Sequence, residues 1–216
     1  MDAAYNVVYD SHNTQNFKSV YFGNSIVKMT VANKPFYSTK SKGAYTQQSI
    51  RLENNVFYAE TPLQNYLINC GDRSQAFQTT RLQVEVTNNT IYNIYQPNIM
   101  IRAYVLAGLT VTKNVGYYTG VTAKNYLTGV YDTAGFTADK AEVTYNYLYT
   151  APVSDTNFWS AKHTGSYTPA NNQMGDGVEA PFSSMDAAKG YFPVDASVVK
   201  TGAGATYDTK AWFKAE

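Results

Sequence analysis

The chain has little of what catalytic sites are usually built from. Its 216 residues include one cysteine and two histidines, and only 15% are Asp, Glu, Lys or Arg. Cys70 has no second cysteine with which to form an intrachain disulfide, and His12 and His163 lie far apart in polar sequence. Neither a nucleotide-binding glycine loop nor a nucleophile elbow is present. The sequence therefore predicts a protein that is not an enzyme and needs no cofactor.

Metal ligands are also scarce. The segment 176–179, Asp-Gly-Val-Glu, offers oxygen ligands of the kind that Ca²⁺ prefers. It lacks the alternating Asp and Asn residues of a dedicated calcium loop, so an ordinary solvated turn is the preferred interpretation. The prediction is that the chain has no metal site.

Positive charge is neither abundant nor clustered. The formal net charge is +1, and the four arginines, at positions 51, 73, 81 and 102, are scattered along the chain. Binding to nucleic acid through counterion release needs clustered Lys and Arg, so direct nucleic-acid binding is not expected. Residues 1–6 show no basic and apolar leader, and no apolar run is long enough to cross a membrane.

What the chain does have is an excess of tyrosine, threonine and asparagine. It contains 20 Tyr, 24 Thr and 19 Asn, against only 8 Leu and 6 Glu. Thr, Tyr, Val and Phe suit a pleated, half-buried surface, whereas helices are usually rich in Leu, Ala, Glu and Lys. The composition predicts an all-β protein.

Alternating apolar residues place several strands. The clearest strand is 81–87, where Leu82, Val84 and Val86 face inward and the residues between them face outward. A hairpin turn is predicted at Asn88-Asn89, because asparagine tolerates positive φ. Further strands are predicted at 27–31, 56–60, 91–95, 99–109 and 143–150, a short helix at 138–142, and one capped helical turn at 183–190.

Frequent turns between short strands are typical of an antiparallel β-sandwich. The sequence Tyr-Thr-Gly-Val at 118–121 has a counterpart at 127–130, but one short repeat is too little to indicate a solenoid. The predicted architecture is a single jelly roll with extended arms. Its parts are an N-terminal arm at 1–20, a β-sandwich core at 21–150, and an irregular C-terminal arm containing aromatic residues at 151–216.

Two groups of aromatic residues are candidates for an interface. Tyr145, Tyr147 and Tyr149 alternate along one predicted strand, either as a wall of the core or as a contact surface that combines large area with a polar tip. The irregular tail is unusually aromatic for a disordered segment, so it should wrap its own domain or a neighbouring subunit. The candidates in the tail are Phe158, Trp159, Tyr191, Phe192, Trp212 and Phe213.

In overall character the chain resembles coat and minor capsid proteins of bacterial or archaeal viruses. The resemblance lies in the predicted short strands, the Thr, Asn and Tyr content and the two arms. It implies a self-assembling capsid subunit, located in a virion assembled in the host cytoplasm. Its partners would be copies of itself and other virion proteins. The chain lacks the arginine-rich arm of many RNA-virus coat proteins, so the resemblance points to a DNA virus with an internal membrane or a separately packaged genome.

Two alternatives remain open. One is a tail, spike or decoration protein of a virion. The other is a carbohydrate-binding or adhesive β-sandwich, in which exposed Tyr and Trp side chains stack on sugar faces.

Overall fold

The computed structural model contains strands but no helix in the part of the chain that it describes. The described residues are 2–3, 8–10, 19–32, 36–39, 47–70, 81–95, 99–101, 105–118, 128–130, 137–138, 141–150, 167–174 and 178–206. Nineteen strands lie within these ranges. No helix that is long and apolar enough to span a membrane occurs among these residues.

The strands form three sheets, which we name A, B and C. Sheet A contains, in spatial order, β1 (Asp2–Ala3), β4 (Ile26–Met29), β7 (Val56–Gln64), β10 (Thr90–Tyr95), β13 (Val115–Tyr118), β17 (Tyr147–Thr150) and β19 (Gln173–Met174). Sheet B contains β2 (Val8–Asp10), β5 (Tyr37–Thr39), β8 (Ile68–Cys70), β11 (Ile99–Ile101) and β14 (Thr128–Val130). Sheet C contains β3 (Ser19–Gly23), β6 (Gln47–Glu53), β9 (Arg81–Thr87), β12 (Val105–Thr112), β16 (Ala141–Thr144) and β18 (Tyr167–Ala170), and β15 (Thr137–Ala138) also pairs with β12.

Every described strand pairing is parallel, which shows that the predicted antiparallel jelly roll is wrong. From β1 to β16 the chain passes from sheet A to sheet B to sheet C and then returns to sheet A, one strand further along, and β17 and β18 continue this order in sheets A and C. Neighbouring strands therefore come from successive turns of the chain, as parallel pairing requires. The molecule is a parallel β-solenoid with three sheets. The sequence prediction failed because alternation along a strand shows that one face is buried but does not show the direction of the neighbouring strand.

The return from sheet C to sheet A always uses the same two-residue corner. The first residue of the corner has positive φ, and the next strand of sheet A begins directly after the second residue. The first positions are Asn24, Asn54, Asn88, Lys113, Tyr145 and Asn171, with φ between 53° and 57°. They recur at intervals of 25 to 34 residues, and this unequal repeat is the solenoid signal that the short match at 118–130 did not reveal.

At five of the six corners the second residue is asparagine, and these residues form an asparagine ladder, consisting of Asn55, Asn89, Asn114, Asn146 and Asn172. Asn114 shows how each rung is held. Its Oδ1 accepts hydrogen bonds from the backbone N–H and Nδ2 of Asn89, at 2.9 and 3.0 Å, while its own Nδ2 donates to the carbonyl of Val86 at 2.8 Å. Its backbone N–H in turn donates to Oδ1 of Asn146 at 2.9 Å. Each rung satisfies buried polar groups of the turn before it, so the ladder supplies hydrogen bonds that strand pairing cannot supply at a corner.

The interior of the solenoid is filled by the inward residues of the strands. Val84 and Val86 of β9 are almost completely buried, which confirms the inward face predicted for that strand at these two positions; the side chain of Leu82 lies outside the described set. An aromatic cluster fills the first turns: the ring of Phe36 lies 4.6 Å from that of Phe22 and 5.1 Å from that of Phe57, between centroids. The inward rows continue through successive turns at the same register, so each turn packs on the one before it.

Several local predictions need correction. The Asn88-Asn89 pair has positive φ at Asn88, as expected, but it joins two different sheets and does not form a hairpin. The segment 99–109 is divided between β11 and β12, and 143–150 is divided between β16 and β17. The described residues in the predicted helix at 138–142 belong to strands. Residues 183–190 form turns closed by an isolated bridge between Asp186 and Tyr191, although Gly190 has the expected positive φ of 66°.

Removing a central rung of the ladder should destabilise the fold strongly. Asn114→Ala removes the partners of several buried groups, each worth about 1–3 kcal/mol, so we expect a loss of about 3–5 kcal/mol in the free energy of unfolding. The control is Asn172→Ala, at the last described rung, where partial exposure allows water to replace the lost partners. Urea unfolding of both variants measures the difference. Equal losses would show that the burial of a ladder asparagine does not determine how much it contributes to the free energy of unfolding.

Candidate binding surface

The outward face of sheet A is covered by the chain itself. Residues 178–206, which we call the cover segment, follow the last strand of the sheet and pack across this face. Val56, Val115 and Tyr147 point outward from the sheet, yet each is at most 3% exposed. Phe192 of the cover segment is completely buried against them and their neighbours. This face belongs to the core of the protein and is not open to a partner.

A row of tyrosines lies along this covered face. Tyr58, Tyr92, Tyr117 and Tyr149 occupy matching register positions on four adjacent strands. The ring of Tyr117 stacks on Tyr92 at 5.2 Å and on Tyr149 at 4.9 Å. Phe192 stacks on Tyr92, with 4.2 Å between centroids. Burial raises the pKa of Tyr117, and the neighbouring Tyr149 and Tyr92 raise it further. The row is a packed aromatic stack whose ring faces are already in contact.

Hydrogen bonds fix the cover segment at several points. The Tyr147 hydroxyl donates to the carbonyl of Glu179 at 2.9 Å. Burial of this hydroxyl beneath the cover segment is the main cause of the raised pKa of Tyr147. Near the other end, the N–H of Gly204 donates to the carbonyl of Lys113 at 2.8 Å, and the N–H of Ala205 donates to Oγ1 of Thr90 at 3.0 Å. The cover segment is therefore held by polar contacts as well as by apolar packing.

A cavity of about 310 Å³ opens within the cover segment. It is lined by Tyr191, Pro193, Val194, Ala196, Val199, Gly202, Ala203, Gly204, Ala205 and Thr206. None of these residues carries a charge at neutral pH, so the cavity offers few groups that could orient a polar ligand.

The predicted interface residues are distributed over different environments. Tyr147 and Tyr149 lie on the covered face of sheet A, whereas Tyr145 is the positive-φ residue of a corner and is 40% exposed. They are therefore not one stripe on one strand. Tyr191 and Phe192 belong to the cover segment. Phe158, Trp159, Trp212 and Phe213 lie outside the described residues, as do His12, His163, Asp176 and Gly177.

The outward face of sheet C has a different character. It carries polar side chains from adjacent strands in matching register, and we call this set the polar strip. Its described members are Tyr21, Arg51, Glu53, Gln83, Glu85, Thr87, Thr110, Thr112, Glu142 and Thr144. Its described members lie on five adjacent strands, from β3 to β16, which at a strand spacing of about 4.8 Å gives a length of about 19 Å along the solenoid.

A connected polar cluster occupies one end of the strip. The guanidinium of Arg51 lies 2.9 Å from Glu53, 3.6 Å from Glu85 and 5.7 Å from the ring centroid of Tyr21. Nε2 of Gln83 donates to Glu85 at 2.6 Å. These contacts hold the side chains in place, yet the Arg51 side chain is 48% exposed and Tyr21 is 57% exposed. The cluster is ordered by its own contacts and remains open to solvent.

Threonine hydroxyls continue the strip toward its other end. Thr87, Thr112 and Thr144 occupy one register row on three adjacent strands. The hydroxyls of Thr112 and Thr144 are 3.0 Å apart, and that of Thr144 lies 3.3 Å from a carboxylate oxygen of Glu142. The strip thus carries carboxylate, amide, guanidinium and hydroxyl groups in rows along the solenoid, with Thr144 only 6% exposed and the Thr87 hydroxyl buried.

Comparison of the chain with protein-family models, with curated proteins and with solved structures finds no match in any of the three.

Sequence reasoning found part of the strip without recognising it as a surface. The alternation of 81–87 placed Gln83, Glu85 and Thr87 outward, as the structure confirms. It could not show that Arg51, 34 residues earlier, lies opposite Glu85. The signal that could have aligned these strands is the recurrent corner asparagine, because each outward row lies at a fixed distance before it.

The close packing of the cover segment can be tested at two glycines with positive φ. A Cβ at Gly190 would lie 2.6 Å from Cε1 of Tyr58, whereas one at Gly202 would meet nothing within 4 Å. Gly202→Ala should cost only the left-handed strain of about 1–2 kcal/mol. Gly190→Ala should cost more and should speed hydrogen exchange in the cover segment. Urea unfolding and hydrogen exchange measure both effects, and identical behaviour of the two variants would contradict close packing at Gly190.

Proposed function

We propose that this protein is a non-catalytic glycan-binding module that uses the polar strip as its binding face. The observation that carries the proposal is the contrast between two faces of one solenoid. The outward face of sheet A is sealed by the cover segment, whereas Tyr21 and Arg51 on sheet C remain about half exposed.

The chemistry of the strip suits sugar hydroxyls. Carboxylate oxygens accept hydrogen bonds, guanidinium and amide groups donate them, and the hydroxyls of the half-buried Thr110 and Thr112 can do both. Tyr21 adds an exposed aromatic ring of the kind that combines an apolar face with a polar tip. Because neighbouring strands hold these groups, they are ordered before a ligand arrives, which reduces the entropy lost on binding.

The shape of the strip favours an extended polymer. Polar groups continue at matching register positions from strand to strand along a length of about 19 Å. A linear polysaccharide that lies along the solenoid could repeat similar contacts at successive strands. A small compact ligand would use only part of the strip.

Other partner classes fit the strip less well. Glutamate is depleted at the centre of protein interfaces, whereas Glu53, Glu85 and Glu142 all lie on the strip. Phosphate backbones need clustered Lys and Arg, and Arg51 is already paired with two carboxylates. The strip therefore favours a hydroxyl-rich partner.

The capsid prediction loses its architectural basis, because it assumed a jelly roll. Its partners and its virion location stay predictions, as does a tail, spike or decoration role. The proposal instead develops the carbohydrate-binding alternative, with a solenoid face in place of the face of a β-sandwich.

Binding should depend on the length of the glycan and on Tyr21. We expect affinity for the oligosaccharides of a recognised polymer to rise with length until the strip is filled. Tyr21→Ala should lower the affinity for long oligomers about fivefold, as expected for loss of about 1 kcal/mol of stacking. Affinity electrophoresis across a panel of soluble polysaccharides identifies the polymer, and calorimetry with its oligomers measures the effect.

The matched control is Tyr145→Ala, which removes an exposed tyrosine at a corner outside the strip. Tyr21→Phe should keep most of the affinity because it retains the ring. The proposal is wrong if no polysaccharide is retarded, or if the Tyr21 and Tyr145 variants lose affinity equally.

A further inference from the structure

We infer that residues 201–206 couple the coils of the solenoid, so that coils far apart along its axis open together. We call these residues the clasp, and they form the last described part of the cover segment. The inference follows from which coil each clasp residue contacts, and it does not depend on glycan binding.

The first half of the clasp contacts the corners of two adjacent coils. The hydroxyl of Thr201 donates to the carbonyl of the corner residue Tyr145 at 3.5 Å. The N–H of Gly204 donates to the carbonyl of Lys113, the corner residue of the preceding coil, at 2.8 Å. The clasp therefore runs along the corners toward the N-terminal coils.

The second half of the clasp reaches the next two coils. The N–H of Ala205 donates to Oγ1 of Thr90, the first residue of β10, at 3.0 Å. The N–H and the hydroxyl of Thr206 donate to Oδ1 of the corner residue Asn54 at 2.7 and 3.1 Å. Nδ2 of Asn54 donates back to the carbonyl of Thr206 at 3.4 Å. One short stretch of chain thus holds the four consecutive coils that contain β17, β13, β10 and β7.

A stretch of this kind changes how the solenoid can open. In a simple solenoid each coil contacts only its neighbours, so an opening near one end leaves distant coils closed. The clasp bonds to coils that share no strand pairing, and its release at one coil frees the chain that holds the others. We expect the coils of β7 and β17, which lie three strands apart in sheet A, to depend on each other for protection from solvent.

The order of the sequence favours late closure of the clasp during folding. Thr206 and Asn54 are 152 residues apart, so joining them in an unfolded chain carries the entropic cost of closing a long loop. Strand pairing and the asparagine ladder align the corners first, and the clasp then orders only its own residues. The clasp therefore closes a solenoid that is already assembled.

The experiment measures native-state hydrogen exchange in the full chain after the clasp is released from one corner. Asn54→Gly removes the side chain that binds Thr206 and supplies a residue suited to the positive φ of 54°. Exchange of the N–H groups of β17, three strands away, should become about fivefold faster, the effect of losing roughly one net hydrogen bond.

The matched control is Asn24→Gly, the same change at a corner residue with a φ of 53°. Nδ2 of Asn54 also donates to Oδ1 of Asn24 at 2.7 Å, so both variants lose that bond. Only Asn54→Gly loses the side-chain bonds to Thr206, and Asn24→Gly should leave exchange in β17 unchanged. Thr206→Val removes only the hydroxyl bond to Asn54, and it should speed exchange in β17 by a smaller factor than Asn54→Gly.

Faster exchange in β17 of the Asn54 and Thr206 variants, but not of the Asn24 variant, supports the coupling. If exchange speeds up only in the clasp and β7, the clasp opens without affecting distant coils and the inference is overturned. If Asn24→Gly speeds exchange in β17 as much as Asn54→Gly, the corner side chains and not the clasp are responsible, and the inference is again overturned. Should Asn54→Gly not fold, the comparison of Thr206→Val with Asn24→Gly decides between the same outcomes.

Discussion

The constraint on which the whole structure depends is the hydrogen bonding at the corner between sheets C and A. A parallel solenoid must turn its chain sharply at the same place in every coil, and each turn interrupts regular strand pairing. The residue with positive φ bends the chain at the corner. The asparagine after it forms hydrogen bonds with backbone N–H and C=O groups of the preceding coil that strand pairing leaves without partners. Asparagine suits this position because one side chain carries both donors and an acceptor. The same contacts fix the register of adjacent coils, and a shift of one residue would turn every inward side chain outward.

Because the register is the same in every coil, like positions line up on the outward faces of sheets A and C, and the residues at those positions give the two faces different properties. On sheet A, matching positions bring tyrosines together into a stack that only another apolar layer can shield from water. The cover segment supplies that layer, with Phe192 packed between neighbouring rings. On sheet C, matching positions bring together charged and amide groups that water can solvate, such as those of Arg51 and Gln83. One face thus becomes part of the core, and the other becomes a surface that is ordered but exposed.

The sequence predicted individual strands better than their assembly. The strand at 81–87 agrees with β9 at both ends, because strict alternation specifies one buried and one exposed face. The segment 143–150 was predicted as one strand because Tyr145 continues the alternation. In the structure Tyr145 takes positive φ, and Val143 and Tyr147 belong to different sheets. The polar strip could not be predicted as a unit, because Arg51 and Glu85 meet only through coil stacking, and coil lengths that vary from 25 to 34 residues conceal the repeat.

The last described strand of sheet C bears on strand pairing at its outer edge. Strand β18 includes Pro169, which lies opposite Val143 of β16. Proline has no backbone N–H and is tolerated in sheets where the missing donor faces away from the neighbouring strand. The outer edge of β18 then lacks a donor that an approaching strand would need, as in other proteins whose edges resist pairing. A proline at this described edge therefore works against the addition of another parallel strand beside β18.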